Sequence, residues 1–148
     1  MTMKKTVIFP GSFDPFTKGH EALVRRGLLF LDEIIVAIGT NDSKKTMLSL
    51  DERIKAIETV FASESRVKVM TYSGLTVDFA ASQNSKIILR GIRTTTDLEF
   101  EKQIADINRK ISGIETVLLI TEPEFAHISS TIVRELMRYG RDVSEFLP

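Results

Sequence analysis

The chain has 148 residues, 43% of them hydrophobic and 27% charged, and its 20 basic and 20 acidic side chains leave a formal net charge of zero. This size and balance predict one globular domain over residues 1–148 and exclude a broadly basic surface for nucleic acid or an anionic membrane. Cysteine is absent and only His20 and His127 are histidines, which excludes disulfides, thiolate metal sites, a cysteine nucleophile and a zinc site built from histidines without carboxylate help.

In chain order, residues 6–9 (Thr6, Val7, Ile8, Phe9) read as a first strand, buried on both faces because the apolar residues do not alternate. That run is too short for a signal-peptide core, and no stretch approaches a membrane span, so a cytoplasmic protein is expected. Residues 10–20 hold two prolines and two glycines and predict a shaped loop leading to a helix that starts near residues 18–20. His20, Leu23, Val24, Gly27, Leu28 and Leu31 give that helix one apolar face. Residues 34–38 form a second apolar strand, and residues 40–47 a polar loop with Lys44 and Lys45.

Ser49 and Glu52 make a capping-box signature, behind which Leu50, Ile54, Ile57 and Phe61 mark a buried helix face. Residues 67–70 partly alternate and read as a strand nearer an edge. Residues 75–83 predict a short helix with Leu75, Phe79 and Ala80 inward. A fourth strand covers residues 87–89, with Arg90, Gly91, Ile92 and Arg93 directly after it. Three threonines, 94–96, lead into a long helix whose apolar face is Phe100, Ile104, Ile107 and Ile111, closed by Gly113. Residues 117–120 are a fifth strand. Ser129, Ser130 and Thr131 then open a last helix carrying Ile132, Val133, Leu136 and Met137, and the tail adds one turn. Five alternations of strand and helix predict an α/β fold: a five-stranded parallel sheet with helices on both faces and right-handed crossovers. In such sheets ligands bind beyond the carboxyl ends of the strands, where the strand order reverses.

The polar residues that stand out all follow strands. The loop before His20 presents backbone N–H groups at a helix N-terminus, which favours an anion, and His20 in the first turn is placed to donate to it. His20 also falls on the apolar face, so packing is the competing explanation. Arg90 and Arg93 around Gly91 suit the forked recognition of phosphate oxygens, although single surface arginines are usually only solvated. Lys44 and Lys45 read as a solvated pair, and Glu101 as part of an exposed salt-bridging face with Asp97, Glu99 and Lys102. Ser129, Ser130 and Thr131 serve either as a helix cap or as a second phosphate site. P-loop, dinucleotide-binding and nucleophile-elbow motifs are absent from the sequence. Donors and cations without a nucleophile–base pair point to phosphoryl or nucleotidyl transfer by a group that is already an anion.

Gly11, Ser12, Phe13, Asp14 and Pro15, followed by Thr17, Lys18, Gly19 and His20, resemble the T/HxGH signature of the nucleotidylyltransferases. Arg90, Gly91, Ile92 and Arg93, then Asp97, Phe100 and Glu101, are similar to the phosphopantetheine adenylyltransferase family, as are Ser43, Lys44 and Lys45, the Leu50-Asp51-Glu52-Arg53 stretch and Ile128, Ser129 and Ser130. The resemblance implies a Rossmann-like sheet of nucleotidylyltransferase type and adenylyl transfer from ATP to 4′-phosphopantetheine, giving dephospho-coenzyme A and pyrophosphate. It implies that His20 stabilises the transition state and that Ser12 and the Phe13 N–H contact the transferring phosphate. Lys44 and Arg90 would hold the pantetheine phosphate and Thr76 would lie along its arm. Gly91, Ile92, Arg93, Glu101, Phe125, Ala126, His127, Ile128, Ser129, Ser130 and Thr131 would hold ATP. It further implies Mg2+ carried mainly by the ATP phosphates, a homohexamer built as a dimer of trimers, and coenzyme A as a feedback inhibitor.

Overall fold

The computed structural model describes residues 4–41 and 44–148; Ser43, quoted above with the lysines, lies outside them. Strand and helix alternate as β1 (Thr6–Gly11), α1 (Lys18–Gly27), β2 (Glu33–Gly39), α2 (Leu50–Val60), β3 (Val67–Tyr72), α3 (Thr76–Ser82), β4 (Ile87–Ile92), α4 (Thr95–Ser112), β5 (Glu115–Ile120) and α5 (Ser130–Arg138). Short 3₁₀ turns lie at Pro123–Phe125 and Ser144–Phe146, the second being the turn expected of the tail. All pairings are parallel, in the order β3-β2-β1-β4-β5. The chain winds outward from β1 to β3, crosses back, and winds outward again through β4 and β5. The reversal between β1 and β4 opens a crevice at the carboxyl edge of the sheet.

The unbroken apolar runs of β1 and β2 serve two faces at once. Val7, Phe9, Ile34, Val36 and Ile38 share a cluster with Leu23 and Val24 of α1 and Ile57 of α2. The intervening Ile8, Ile35 and Ala37 pack with Val77 and Ala80 of α3. Each fully buried Val or Ile contributes about 1.5–3 kcal/mol relative to exposure. Helix ends follow local chemistry: the Ser49–Glu52 capping box is formed, Thr94 and Ser129 cap α4 and α5, and Gly113 closes α4 at φ 76°. β3 lies at the sheet edge, as its partial alternation predicts.

Several boundaries differ from expectation. Pro10 and Gly11 remain in β1, paired with Ala37 and Ile38, where the proline and glycine content predicts a loop. In a parallel strand one residue's N–H and C=O point to the same neighbour, so what matters is which side lacks the donor. The Pro10 carbonyl accepts a 2.8 Å bond from Arg90 Nη1 on β4, and β1 pairs with β4 earlier, through Ile8 and Ile88. The missing N–H therefore falls where those strands part. β4 likewise continues through Arg90, Gly91 and Ile92, which sit within the strand rather than after it. Leu28 caps α1 and Leu31 lies beyond it, yet both are buried. Leu75 is the exposed N-cap of α3, and Val77 takes the inward place assigned to it.

The largest difference is α4. Phe100, Ile104, Ile107 and Ile111 share one face as predicted, but it points outward, with Phe100 60% and Ile107 61% exposed. The residue of α4 that is buried is Glu101, at 5%. Ile132 of α5 is also exposed, and Val133 carries that helix inward. Periodicity identifies residues that share a face; it does not say what covers the face.

Gly91 answers a packing need. A Cβ there would collide with Leu23 Cδ1 of α1 and come within 3.2 Å of Leu23 Cδ2. Gly91→Ala is expected to lower unfolding free energy by about 1–3 kcal/mol through overpacking. Urea denaturation checks this, and Gly91→Ala should cost less in a Leu23→Ala background than in the wild type, since the two changes share one volume.

Candidate active site

The loop leaving β1 is held from two sides. From α2, Arg53 Nη1 donates to the Ser12 carbonyl at 2.8 Å. The buried Asp14 carboxylate accepts the Met47 and Leu48 N–H groups at 2.9 and 2.8 Å. From α5, Arg134 Nη1 donates to the Asp14 carbonyl and the Ser130 hydroxyl to the Pro15 carbonyl, each at 2.8 Å. Thr17, buried, then caps α1.

His20 occupies the third position of α1 and completes a reciprocal cap. The Thr17 hydroxyl accepts the His20 N–H at 3.4 Å, and His20 Nδ1 accepts the Thr17 N–H at 2.9 Å. A backbone donor on Nδ1 requires a lone pair there, so the neutral ring carries its proton on Nε2. The imidazole stacks on Phe16 at 5.2 Å and meets Phe13 edge-on at 5.1 Å. Burial, reinforced by the positive charges of Arg90 and Arg93, lowers its pKa from 6.5 to about 3. Packing and donation are thus not alternatives: the aromatic cage keeps the ring neutral with one N–H free to donate.

Opposite, Arg90 reaches from β4 to Glu101 of α4 with Nε at 3.1 and 2.9 Å from the carboxylate oxygens and Nη2 at 2.7 Å. This reverses the reading of Glu101 as an exposed salt-bridging residue: it is buried and fixes the Arg90 fork. Arg93 pairs with Asp97, its Nε 3.2 Å from Oδ2. At the start of α5 the hydroxyls are spoken for. Ser129 Oγ accepts the Ile132 N–H, Ser130 Oγ binds Pro15, and Thr131 Oγ1 accepts from Arg134. The helix-cap alternative holds for Ser129, while the Ser130 and Thr131 N–H groups, in the first turn, have no intrahelical partner.

These groups line one cleft of about 360 Å³ at the β1–β4 crevice, which receives Ser12, Phe13, His20, Arg90, Gly91, Arg93 and Glu101 together with Phe125, Ile128, Ser129, Ser130 and Thr131. Lys44 lies in an adjoining hollow that shares Ser12, its Nζ 3.5 Å from Ser12 Oγ. Thr76 lines a second cavity of about 190 Å³ that shares Pro10, Gly11, Arg90 and Glu101 with the cleft. Ile92, Ala126 and His127 are not among the lining residues, and His127 packs edge-on to Phe146. Sequence reasoning quoted Asp14, Thr17 and Arg53 within motifs but gave them no role, and it did not single out Arg134. Thr17 had a legible signal, a hydroxyl three residues before His20 at a helix start.

Comparison with known proteins agrees with this arrangement. Residues 8–136 match the profile of the cytidylyltransferase-like family. The chain is 55% identical over 144 residues to the phosphopantetheine adenylyltransferase of Phocaeicola vulgatus, covering 97% of this chain and 95% of that one. It is 52% identical over 144 residues to that of Bacteroides thetaiotaomicron (97% and 95% covered) and 53% identical over 146 residues to that of Christiangramia forsetii (99% and 96%). In fold alone it is similar to a bifunctional NMN adenylyltransferase/ADP ribose pyrophosphatase from Francisella tularensis, with a TM-score of 0.74 at 15% identity, over 98% of this chain and 45% of that one. A parallel sheet with its cleft at the switch point, and identity of about half over nearly the full length, lead to one conclusion: the chain belongs to the phosphopantetheine adenylyltransferase family, within the cytidylyltransferase-like group.

Proposed function

We propose that this chain transfers the adenylyl group of ATP to 4′-phosphopantetheine, giving dephospho-coenzyme A and pyrophosphate, a step of coenzyme A biosynthesis. The observation that carries this reading is the single cleft in which His20, Arg90, Arg93 and the α5 N-terminus meet, in a chain about half identical to relatives named for that activity. An oxygen of the acceptor phosphate attacks the α-phosphorus. The new O–P bond forms as the bond to the β-phosphate oxygen breaks, and pyrophosphate leaves with the electron pair. The attacking group is already an anion, so the site needs alignment and charge stabilisation, not a base. His20 Nε2–H, Ser12 and the Phe13 N–H serve the transferring phosphate. Lys44 and Arg90 hold the acceptor phosphate, and the Thr76 cavity receives its arm. Gly91, Arg93, Glu101, Phe125, Ile128, Ser129, Ser130 and Thr131, which line the cleft, hold ATP.

Among the described residues no three His, Asp or Glu side chains gather into a metal cluster, and the cleft carboxylates Asp97 and Glu101 are engaged by Arg93 and Arg90. That donor set fits a magnesium ion carried by the nucleotide, which when bound neutralises charge on the departing phosphates. The test is pyrophosphate release with ATP, Mg2+ and one acceptor at a time. Release with 4′-phosphopantetheine alone is expected; release with nicotinamide mononucleotide instead would reject the substrate.

The outward apolar stripe of α4 supports assembly, and we extend the proposal to a homohexamer, a dimer of trimers. Sedimentation should give six times the chain mass, and a monomer at micromolar concentration would reject it. Within the described residues no helix is long and apolar enough to cross a membrane, which is compatible with the proposed cytoplasmic location; fractionation with the membranes would oppose it. Coenzyme A, sharing the pantetheine arm, is proposed as a feedback inhibitor and should compete with 4′-phosphopantetheine. Unchanged rates at saturating coenzyme A would reject that role.

A further inference from the structure

The proposed transfer step gives Arg53 no role. It projects from α2, is 6% exposed, and carries a charge with no carboxylate within ion-pair distance among the described residues. A buried cation without a counter-charge is unfavourable unless its donors do something specific. Here they bind carbonyls: Nε donates to Ser49 at 3.3 Å and Nη1 to Ser12 at 2.8 Å. The Ser12 bond matters because a trans peptide is planar, with its C=O and the following N–H pointing in opposite directions. Holding the Ser12 carbonyl toward α2 turns the Phe13 N–H away from α2. Arg53 borders the hollow beside Lys44, while Ser12 and Phe13 also line the main cleft.

Two further observations agree. The Phe13 N–H makes no hydrogen bond to any of the described residues, although Phe13 is 3% exposed and buried backbone donors are almost always paired. Phe13 also has φ 48°, a left-handed conformation a phenylalanine keeps only when its surroundings impose it. Its ring is caged by Phe9, Phe16 and His20, and its preceding carbonyl is clamped by Arg53.

We propose that Arg53 is a positioning residue that clamps the Ser12–Phe13 peptide so that the Phe13 N–H faces the cleft as a preset donor to the phosphoryl group in transit. The inference rests on the adenylyl-transfer reading above. It is tested with Arg53→Met, which keeps the stem, and with Arg53→Lys, which keeps the charge but offers a point donor instead of a fork. The readouts are kcat, both KM values and the Phe13 amide resonance in the whole protein. For each folded variant we expect kcat to fall about 10–100-fold, as when a preset donor is misaligned, with both KM values within about threefold, as for an interaction made in the transition state, and a displaced Phe13 resonance. An unchanged kcat, a loss confined to KM or an unmoved Phe13 resonance overturns the proposal. Failure of both variants to fold also overturns it, because Arg53 would then hold the fold rather than the donor. A wild-type chain inactive with these substrates would overturn the transfer reading instead, while the amide resonance would still judge the clamp.

Discussion

His20→Ala lowers kcat by about 10²–10³-fold, the loss typical of removing one preset donor to a developing oxyanion, while calorimetric affinity for ATP changes by no more than a few-fold. The imidazole is held by the Thr17 cap and by Phe13 and Phe16, so it meets the reacting phosphate without having to be ordered first. It acts as a neutral N–H donor, because burial and the two arginines depress its pKa to about 3. The same depression links the residue to stability. As pH falls below 6.5 the unfolded chain takes up a proton that the folded chain refuses, so stability is lost progressively from about pH 6.5 toward pH 3, by at most about 1.4 kcal/mol per pH unit. Urea melts of wild type and His20→Ala should therefore converge as the pH is lowered. Unchanged turnover in the variant would reduce His20 to a packed side chain.

Arg90→Ala is expected to damage both fold and function. Glu101 is 5% exposed, and its charge is answered by three bonds from Arg90 at 2.7–3.1 Å. Removing the guanidinium strands a buried carboxylate, which costs about 3–5 kcal/mol for a fully buried pair. The Arg90 side chain is about one-third exposed, which places the loss near 3 kcal/mol and the fall in Tm near 10 °C. Because Arg90 also faces the acceptor phosphate in the proposed mechanism, kcat/KM for 4′-phosphopantetheine should fall at least about 100-fold, in line with a lost charge-assisted fork. Arg90→Lys should recover little, since an ammonium cannot reproduce the fork. Arg90→Ala melting with the wild type would show that the pair does not hold the site.

Much of this was legible because it is local. The apolar runs of β1 and β2, the Ser49–Glu52 box and Gly113 each announce their element within a few residues. So does the loop before His20, and the rule for parallel sheets placed the cleft. What could not be read depends on partners distant in the chain. Arg53 and Arg134 acquire meaning from carbonyls 41 and 120 residues away. Pro10 is tolerated in β1 because of where β4 departs. On α4 it is Glu101 that is buried, against Arg90, while the apolar stripe is exposed, with Phe100 bordering the cleft and Ile104 the Thr76 cavity. Local spacing contains neither fact.

The central claim is that the cleft aligns an anion already present for direct attack, with no covalent intermediate on the chain. The most direct measurement is the stereochemical course with a single diastereomer of adenosine 5′-(1-thiotriphosphate) as adenylyl donor. One in-line displacement predicts inversion at phosphorus; retention would reveal two displacements through an adenylylated side chain and contradict the account.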